Sequence, residues 1–294
     1  MSQAVHDRLK AHLQTIVGDR HPHSAPAKLR QIETHLIAKF RGFGLNTTLH
    51  PFKALSGTYR NVVASFPISS KYTQRENDVP LIIAAHYDTV PHCPGADDNG
   101  SGLAVMLEVA QSLAEMSSDG NVRFIAFCLE EENLLGSLAY AAHLKQTHQM
   151  IRGAIVLECV GFTSLRDGSQ QKPPGVPIAV PTTGDFLAVI GNTASSKLVA
   201  GFEAVAKKHV PDLKTVPLVV PGNGEKLPDT RRSDHAAFWH YGYPAIMLTD
   251  TANFRNPNYH RPTDSIDTLD FAFMSKVAAA VAATTIELAG NPKP

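Results

Sequence analysis

The chain predicts an α/β protein, a central sheet covered by helices on both faces, and three observations carry that prediction. Short apolar runs of strand length alternate with longer amphipathic stretches, at 81–85, 122–129, 154–157 and 245–248. Each run ends abruptly in charged or imidazole side chains, as buried strands do where their loops begin. No internal repeat, low-complexity tract or charge block interrupts the alternation.

The elements follow in chain order. Leu9, Leu13 and Val17, then Leu29, Ile32, Leu36 and Phe40, recur at helical spacing and predict two amphipathic helices before the Gly42/Gly44 break. Two strands are expected near 46–52 and 59–66. Between the four apolar runs lie helical stretches at 101–116, 134–144 and 195–208. The last helix starts at Asp270 as N-cap, lines one face with Phe273, Val277, Val281, Thr284 and Leu288, and stops at Gly290 and Pro292. Two segments break the pattern: 163–186, with Pro173, Pro174, Pro177 and Pro181, and 216–232, with Pro217, Pro221, Gly222, Gly224 and Pro228. Both are expected to be loop insertions in one domain spanning 1–294.

Composition narrows the function. With 294 residues, 43% of them hydrophobic, the chain can bury a large core. Lysines plus arginines and acids each number 27, so no polyanion-binding excess points to nucleic acid. The start MSQAVHDRLK has no basic segment followed by an apolar core, and no run approaches the length of a membrane span, so a cytoplasmic protein without a membrane partner is expected. Cys93, Cys128 and Cys159 are odd in number and lack CxxC spacing, which argues against a disulfide framework or a thiolate zinc knuckle.

The chemistry gathers where open α/β sheets bind ligands, beyond the carboxyl ends of strands. His86 and Asp88 follow LIIAA, Glu130, Glu131 and Glu132 follow VRFIAFCL, and Glu158 follows AIVL. Unpaired charges at buried strand ends are costly, and a cation would resolve that cost. The turn PGADDNGSG at 94–102 adds two acids and leads into an apolar helix. Its acids taken alone read as helix caps; beside His86 and the glutamates they read as ligands. A histidine with several carboxylates suits zinc, manganese or cobalt, and two such ions can share a carboxylate, a bridge expected of Asp97. Asp88 is placed to accept the other imidazole N–H of His86.

Here the residues resemble the M28 family of zinc aminopeptidases and related peptidases. HYD at 86–88, PGADDNGSG at 94–102, LEEENLLGS at 129–137, SDHAAFW at 233–239 and YHRPTDSIDTLD at 259–270 look like that family's motifs, in its order, across about residues 5–289. The resemblance implies a mixed, mostly parallel sheet of about eight strands between helices, with two zinc ions at one edge. By position, His86 and Glu158 would hold one ion, Glu131 and His260 the other, Asp97 both, and Glu130 would be the general base. It also implies a cis peptide between Asp97 and Asp98. One departure stands out: the family usually has aspartate where this chain has Glu158. Glu132 reads as a solvated neighbour of the working pair.

Ser233, Asp234 and His235 are consecutive, so their side chains diverge and cannot form a catalytic triad. The resemblance makes Asp234 and His235 residues of the site's edge, orienting ligands or substrate. The activity it implies is removal of N-terminal residues from peptides or small amides. Carboxypeptidase, dipeptidase, N-acyl amino acid deacylase and one-zinc glutaminyl cyclase use the same scaffold, and Arg231 or Arg232 would suit a substrate carboxylate. A non-catalytic binding protein of this fold would lack ligands or base, whereas here every role has a candidate.

Overall fold

A computed structural model of the chain describes residues 3–67, 79–116 and 121–289. Eight strands form one mixed sheet: β1 (Asn46–Ala54), β2 (Gly57–Ser65), β3 (Leu81–His86), β4 (Val122–Phe127), β5 (Gly153–Glu158), β6 (Leu187–Asn192), β7 (Thr215–Val220) and β8 (Ala245–Thr249). Their order is β1-β2-β4-β3-β5-β8-β6-β7. The central β4, β3, β5 and β8 run parallel. The β1–β2 hairpin joins β4 antiparallel, and the parallel β6–β7 pair joins β8 antiparallel.

The strands' period of two divides the core. Leu81, Ile83 and Ala85 of β3 face one side, where α1 (Gln3–Ile16), α2 (Pro26–Gly42), α3 (Gly102–Glu115), α5 (Ser196–His209) and α7 (Phe271–Ala289) pack. Ile82 and Ala84 face the other, against α4 (Leu135–Gln146) and the short α6 (His235–His240), with Phe238 and Trp239 at its centre. Burial on both faces explains why these strands are continuous apolar runs.

Asp270 caps α7 as expected, its Oδ1 accepting the Phe273 N–H at 2.9 Å. The expected stop at Gly290 and Pro292 lies outside the described residues. Contrary to the expectation that no run approaches span length, 18 residues of α7 are long and apolar enough by composition to cross a membrane; half of that window is buried in the core, Met274, Val277 and Val281 among it.

The second expected loop is partly wrong. Residues 215–220 form edge strand β7, with Leu218 and Val220 buried and Pro217 and Val219 exposed. Proline is tolerated there because β7 is the last strand of the sheet and has a neighbour on one side only. Strand β6 and helix α6 were also not expected. The 163–186 segment has no strand or helix of its own beyond a Ser164–Gly184 bridge. Gln170 ties it down, donating to Thr251 Oγ1 at 2.9 Å and accepting from Arg255 Nε at 2.9 Å.

Candidate metal centre

Three parallel strands end at the same edge and deliver the first residues of the site. His86 is the last residue of β3 and Glu158 the last of β5, while Glu130 and Glu131 stand just past β4. The turn Ala96–Ser101, entering α3, and the loop after β8 close the edge with Asp98 and His260. His86 Nε2 lies 3.2 Å from Asp98 Oδ1 and 3.4 Å from Glu158 Oε2. His260 Nε2 lies 3.0 Å from Asp98 Oδ2 and 3.3 Å from Glu131 Oε2. Two sets of donors thus share Asp98, one oxygen each.

The bridging position expected of Asp97 is therefore occupied by Asp98. Asp97 points away: its Oδ1 accepts the Gly161 N–H at 2.9 Å and its Oδ2 the Asn256 amide at 2.7 Å. Adjacent side chains of a tight turn cannot both face one point, and the chain resolves the Asp-Asp ambiguity in favour of the second. The cis peptide is likewise one residue later, between Asp98 and Asn99.

The turn is fastened to the loop beyond Glu158 residue by residue. The N–H groups of Cys159, Val160 and Gly161 donate to Asn99 Oδ1, Ser101 Oγ and Asp97 Oδ1 at 3.2, 2.9 and 2.9 Å. Asp264 accepts the Asp97 and Asp98 N–H groups at 2.9 and 3.1 Å. On the other side of the turn, the fully buried Arg20 donates to the carbonyls of Tyr87, Pro94 and Gly95 at 2.9, 2.8 and 3.0 Å. A buried cation bound only to carbonyls is costly alone, and Asp98, Asp264 and Asp88 stabilise its charge from nearby. Gly95, at φ +61°, leaves no room for a side chain, because a Cβ would collide with the Asp98 carbonyl and the Thr89 methyl.

Asp88 serves both flanking elements. Its carboxylate accepts the Glu130 and Glu131 N–H groups, each at 3.1 Å. Its carbonyl lies 3.2 Å from His86 Nδ1, and its Oδ1 3.6 Å away, so the closer acceptor for the imidazole is the carbonyl rather than the expected carboxylate. Ser233 donates to Glu158 Oε2 at 2.7 Å. Leu129, Cys159 and His260, beside or among the donors, all have left-handed backbone, with φ of 63°, 48° and 58°. Such conformations in residues with a Cβ are held by their surroundings and concentrate at working sites.

The two expected edge residues part company. Asp234 is buried and faces His86, Glu158 and Asp88; burial first, then those acids, push it up to about 7 against the opposing pull of His86. His235 does not join the site. Its Nε2 lies 2.8 Å from the Thr230 carbonyl, its ring packs edge-on against Trp239, and burial holds its pKa down to about 4. It is a core histidine that anchors the segment before α6. Glu132 lies outside the cluster, 3.2 Å from His21.

The donor set fits divalent ions. A tetrahedral zinc with bonds of about 2 Å separates its donors by about 3.3 Å, and the contacts about Asp98 run from 3.0 to 3.4 Å. His86 Nε2, Asp98 Oδ1 and Glu131 Oε1 are buried without a hydrogen-bond partner among the described residues, a costly arrangement that coordination would relieve. The acids also oppose one another. Burial raises Glu130 well above the usual carboxylate range, His86 opposing and Glu158 and Glu131 adding to it. Burial and Asp98 push Glu131 up to about 7. His260 is pulled down by burial, but its hydrogen bonds to Asp98 and Glu131 carry it up to about 10. Glu130 Oε2 stands farther from His86 Nε2, at 3.8 Å, and with His86 and Glu131 it makes a third group of donors, one that does not include Asp98.

A cleft of about 780 Å³, its solvent-open mouth included, adjoins Glu158. Val176, Ile178 and Val180 of the proline-rich segment face Ile190, Leu218 and Met247 of β6, β7 and β8 across it. Both sequence segments that break the α/β pattern thus meet at one cavity.

Sequence reasoning missed Asp98, Asp264, Arg20, Asn99 and Ser233. Asp98 and Asn99 lie within the quoted turn motif, Ser233 opens another and Asp264 sits in a third, so their positions were signalled but their partners were not. Arg20 lies in no motif.

Comparison with known proteins agrees with this geometry. The model of "Peptidase family M28" matches residues 61–285. The uncharacterized protein YfbL of Escherichia coli K12 is 33% identical over 278 residues, covering 89% of this chain and 81% of its own. The solved structure of BSAP, a zinc aminopeptidase from Bacillus subtilis, is 28% identical with a TM-score of 0.60, covering 82% of this chain and 52% of its own. A glutaminyl cyclase from Porphyromonas gingivalis, at 19% identity, shares the fold, with a TM-score of 0.69 and 96% of each chain covered. This chain accordingly spans about half the length of the zinc aminopeptidase it matches. On the family match the chain belongs to peptidase family M28 and is of the metallopeptidase class.

Proposed function

We propose that the chain is a two-zinc aminopeptidase, removing N-terminal residues from short peptides. The observation that carries this reading is the shared carboxylate: Asp98 lies 3.2 Å from His86 and 3.0 Å from His260, with Glu158 and Glu131 completing the two sides. His86 and Glu158 would hold one ion, Glu131 and His260 the other, and Asp98 both. When bound, such ions lower the pKa of a water and polarise the scissile carbonyl. Manganese or cobalt would suit the same donors.

The chain's own groups do the rest. Glu130, buried beside the donors, acts in its ionised form: its carboxylate takes the proton of the attacking water and then delivers it to the leaving amine, and burial makes that carboxylate a stronger base than an exposed one. Asp88 holds the Glu130 and Glu131 backbone, so the base and a ligand keep their relative positions. The acid-lined edge favours a substrate's positively charged α-amine. The adjoining apolar cavity favours a bulky apolar first residue, whose burial contributes roughly 1.5–3 kcal/mol.

Both site halves being furnished favours two ions over the single zinc of a cyclase. Metal content and hydrolysis of leucinamide, with and without chelator, test the reading together with Glu130→Gln. That variant should keep its metal and lose about 10³- to 10⁴-fold in kcat. Undiminished turnover in Glu130→Gln removes Glu130 from its role.

A further inference from the structure

Resting on the peptidase reading above, we infer that Arg232 binds a substrate carboxylate at the mouth of the apolar cavity, so the favoured substrates are short peptides presenting a free carboxylate there. Arg232 is the only cationic residue lining that cavity among the described residues, and its other polar walls include Glu158 and Asp229. Its guanidinium is held in place: Nη1 donates to Asn253 Oδ1 at 2.8 Å and Nη2 to the Tyr259 hydroxyl at 3.2 Å. Asp229 Oδ1 stands 3.5 Å from Nη1, on an exposed flank where solvent screens it. A guanidinium has five N–H donors, so these contacts orient the group while leaving donors for a bidentate partner. The side chain is 42% exposed, open enough to receive a ligand.

Its place in the site follows from two ring contacts. The guanidinium carbon lies 5.8 Å from the centre of the Tyr259 ring, and that ring stacks on His260 at 3.8 Å. Arg232 is therefore separated from a candidate metal donor by a single aromatic side chain. An extended peptide advances about 3.5 Å per residue, so a carboxylate reaching Arg232 belongs to a residue at or next to the scissile bond. It is either the C-terminus of a very short peptide or an acidic side chain. An apolar-walled cavity with one fixed cation at its rim is built to distinguish a carboxylate from its amide, because the amide carbonyl accepts only a neutral hydrogen bond where the carboxylate accepts a charge-assisted, bidentate pair.

The test compares leucyl-glycine, leucyl-glycinamide and glutamyl-glycinamide as substrates of the metal-loaded wild type, Arg232→Gln and Arg232→Lys. Wild type should prefer leucyl-glycine, or glutamyl-glycinamide, to leucyl-glycinamide by at least about 10-fold in kcat/KM, chiefly through KM. The preferred probe identifies the C-terminus or the side chain as the source. Arg232→Gln should erase the preference, raising KM for the carboxylate probe toward that for leucyl-glycinamide, and Arg232→Lys should restore it only in part. Equal cleavage of acid and amide by wild type, or a preference that survives Arg232→Gln, overturns the inference. Calorimetric binding of leucyl-glycine on the Glu130→Gln background separates the two readings. Arg232-dependent binding in a protein that hydrolyses none of the probes keeps the carboxylate site and discards the peptidase, while hydrolysis without discrimination does the reverse.

Discussion

The two halves of the candidate centre are built differently. His86 and Glu158 are the last residues of neighbouring strands, with side chains 0% and 10% exposed. Each has a second partner, the Asp88 carbonyl for His86 and Ser233 for Glu158. Glu131 and His260 stand on loops; His260 is 34% exposed and is steadied by stacking on Tyr259. A donor on a strand end inherits the precision of the sheet's hydrogen-bond ladder, whereas one on a loop depends on packing that opens at lower free-energy cost. Affinity should therefore be unequal, with the strand-end half holding its ion more tightly. Asp98 belongs to both, and Asp264, Asn99, Ser101 and Arg20 all fasten its turn.

Removing what the halves share is the largest perturbation available. Asp98→Ala should lower metal content from two ions per chain to fewer than one and reduce kcat/KM by at least about 10³-fold. Asp97→Asn, one residue away, alters a carboxylate that faces Gly161 and Asn256, and should keep both ions with a loss of about 10-fold. Elemental analysis after dialysis, alongside leucinamide hydrolysis, reads both. If Asp97→Asn emptied the site and Asp98→Ala did not, the shared donor would be the other aspartate.

The next test opposes the halves directly. His260→Ala should give up one ion and leave the other bound within about 10-fold of its wild-type affinity, since His86, Glu158 and Asp98 all remain. His86→Ala should cost more, because it removes a fully buried donor at a strand end whose other ring nitrogen lies 3.2 Å from the Asp88 carbonyl. Competition with a chromophoric chelator measures each step. Identical losses in the two variants would mean that strand-end placement confers no advantage.

The same division marks what could be read beforehand. His86, Glu130, Glu131 and Glu158 were legible because a buried parallel strand is an unbroken apolar run whose end is abrupt, and the residues after it must lie at the sheet's edge. His260 has no such frame; it follows a loop and was placed only through the YHRPTDSIDTLD motif. Asp97 and Asp98 could not be told apart because the choice depends on turn backbone, which pattern does not encode, and the answer rests on Gly161 and Asn256 claiming Asp97 from distant parts of the chain. His235 misled for the opposite reason: a polar residue in a motif was read as functional, yet it sits in the core, with Nε2 on the Thr230 carbonyl and its ring edge-on to Trp239. Strand β7 was hidden by Pro217, which is a strand breaker everywhere except at an edge. Arg20 was invisible because its partners are carbonyls, and carbonyls have no sequence signature.

The smallest effect probes the strand-end half alone. Glu158 reaches its place with one methylene more than the aspartate usual in the family, and a longer side chain has an additional torsion to fix. Ser233 supplies that restraint by donating to Oε2 at 2.7 Å, while Cys159 Sγ lies 3.3 Å from Oε1. Ser233→Ala removes the stronger contact and no donor atom of the cluster, so it should weaken the His86-side ion by about 10-fold and leave the His260-side ion unchanged. Glu158→Asp in the same background shortens the side chain and has less freedom to restrain, so it should depend less on Ser233 than the native glutamate does. A double-mutant cycle on metal affinity isolates that coupling. Additive losses would show that Ser233 and the extra methylene act independently, and that the sheet alone positions Glu158.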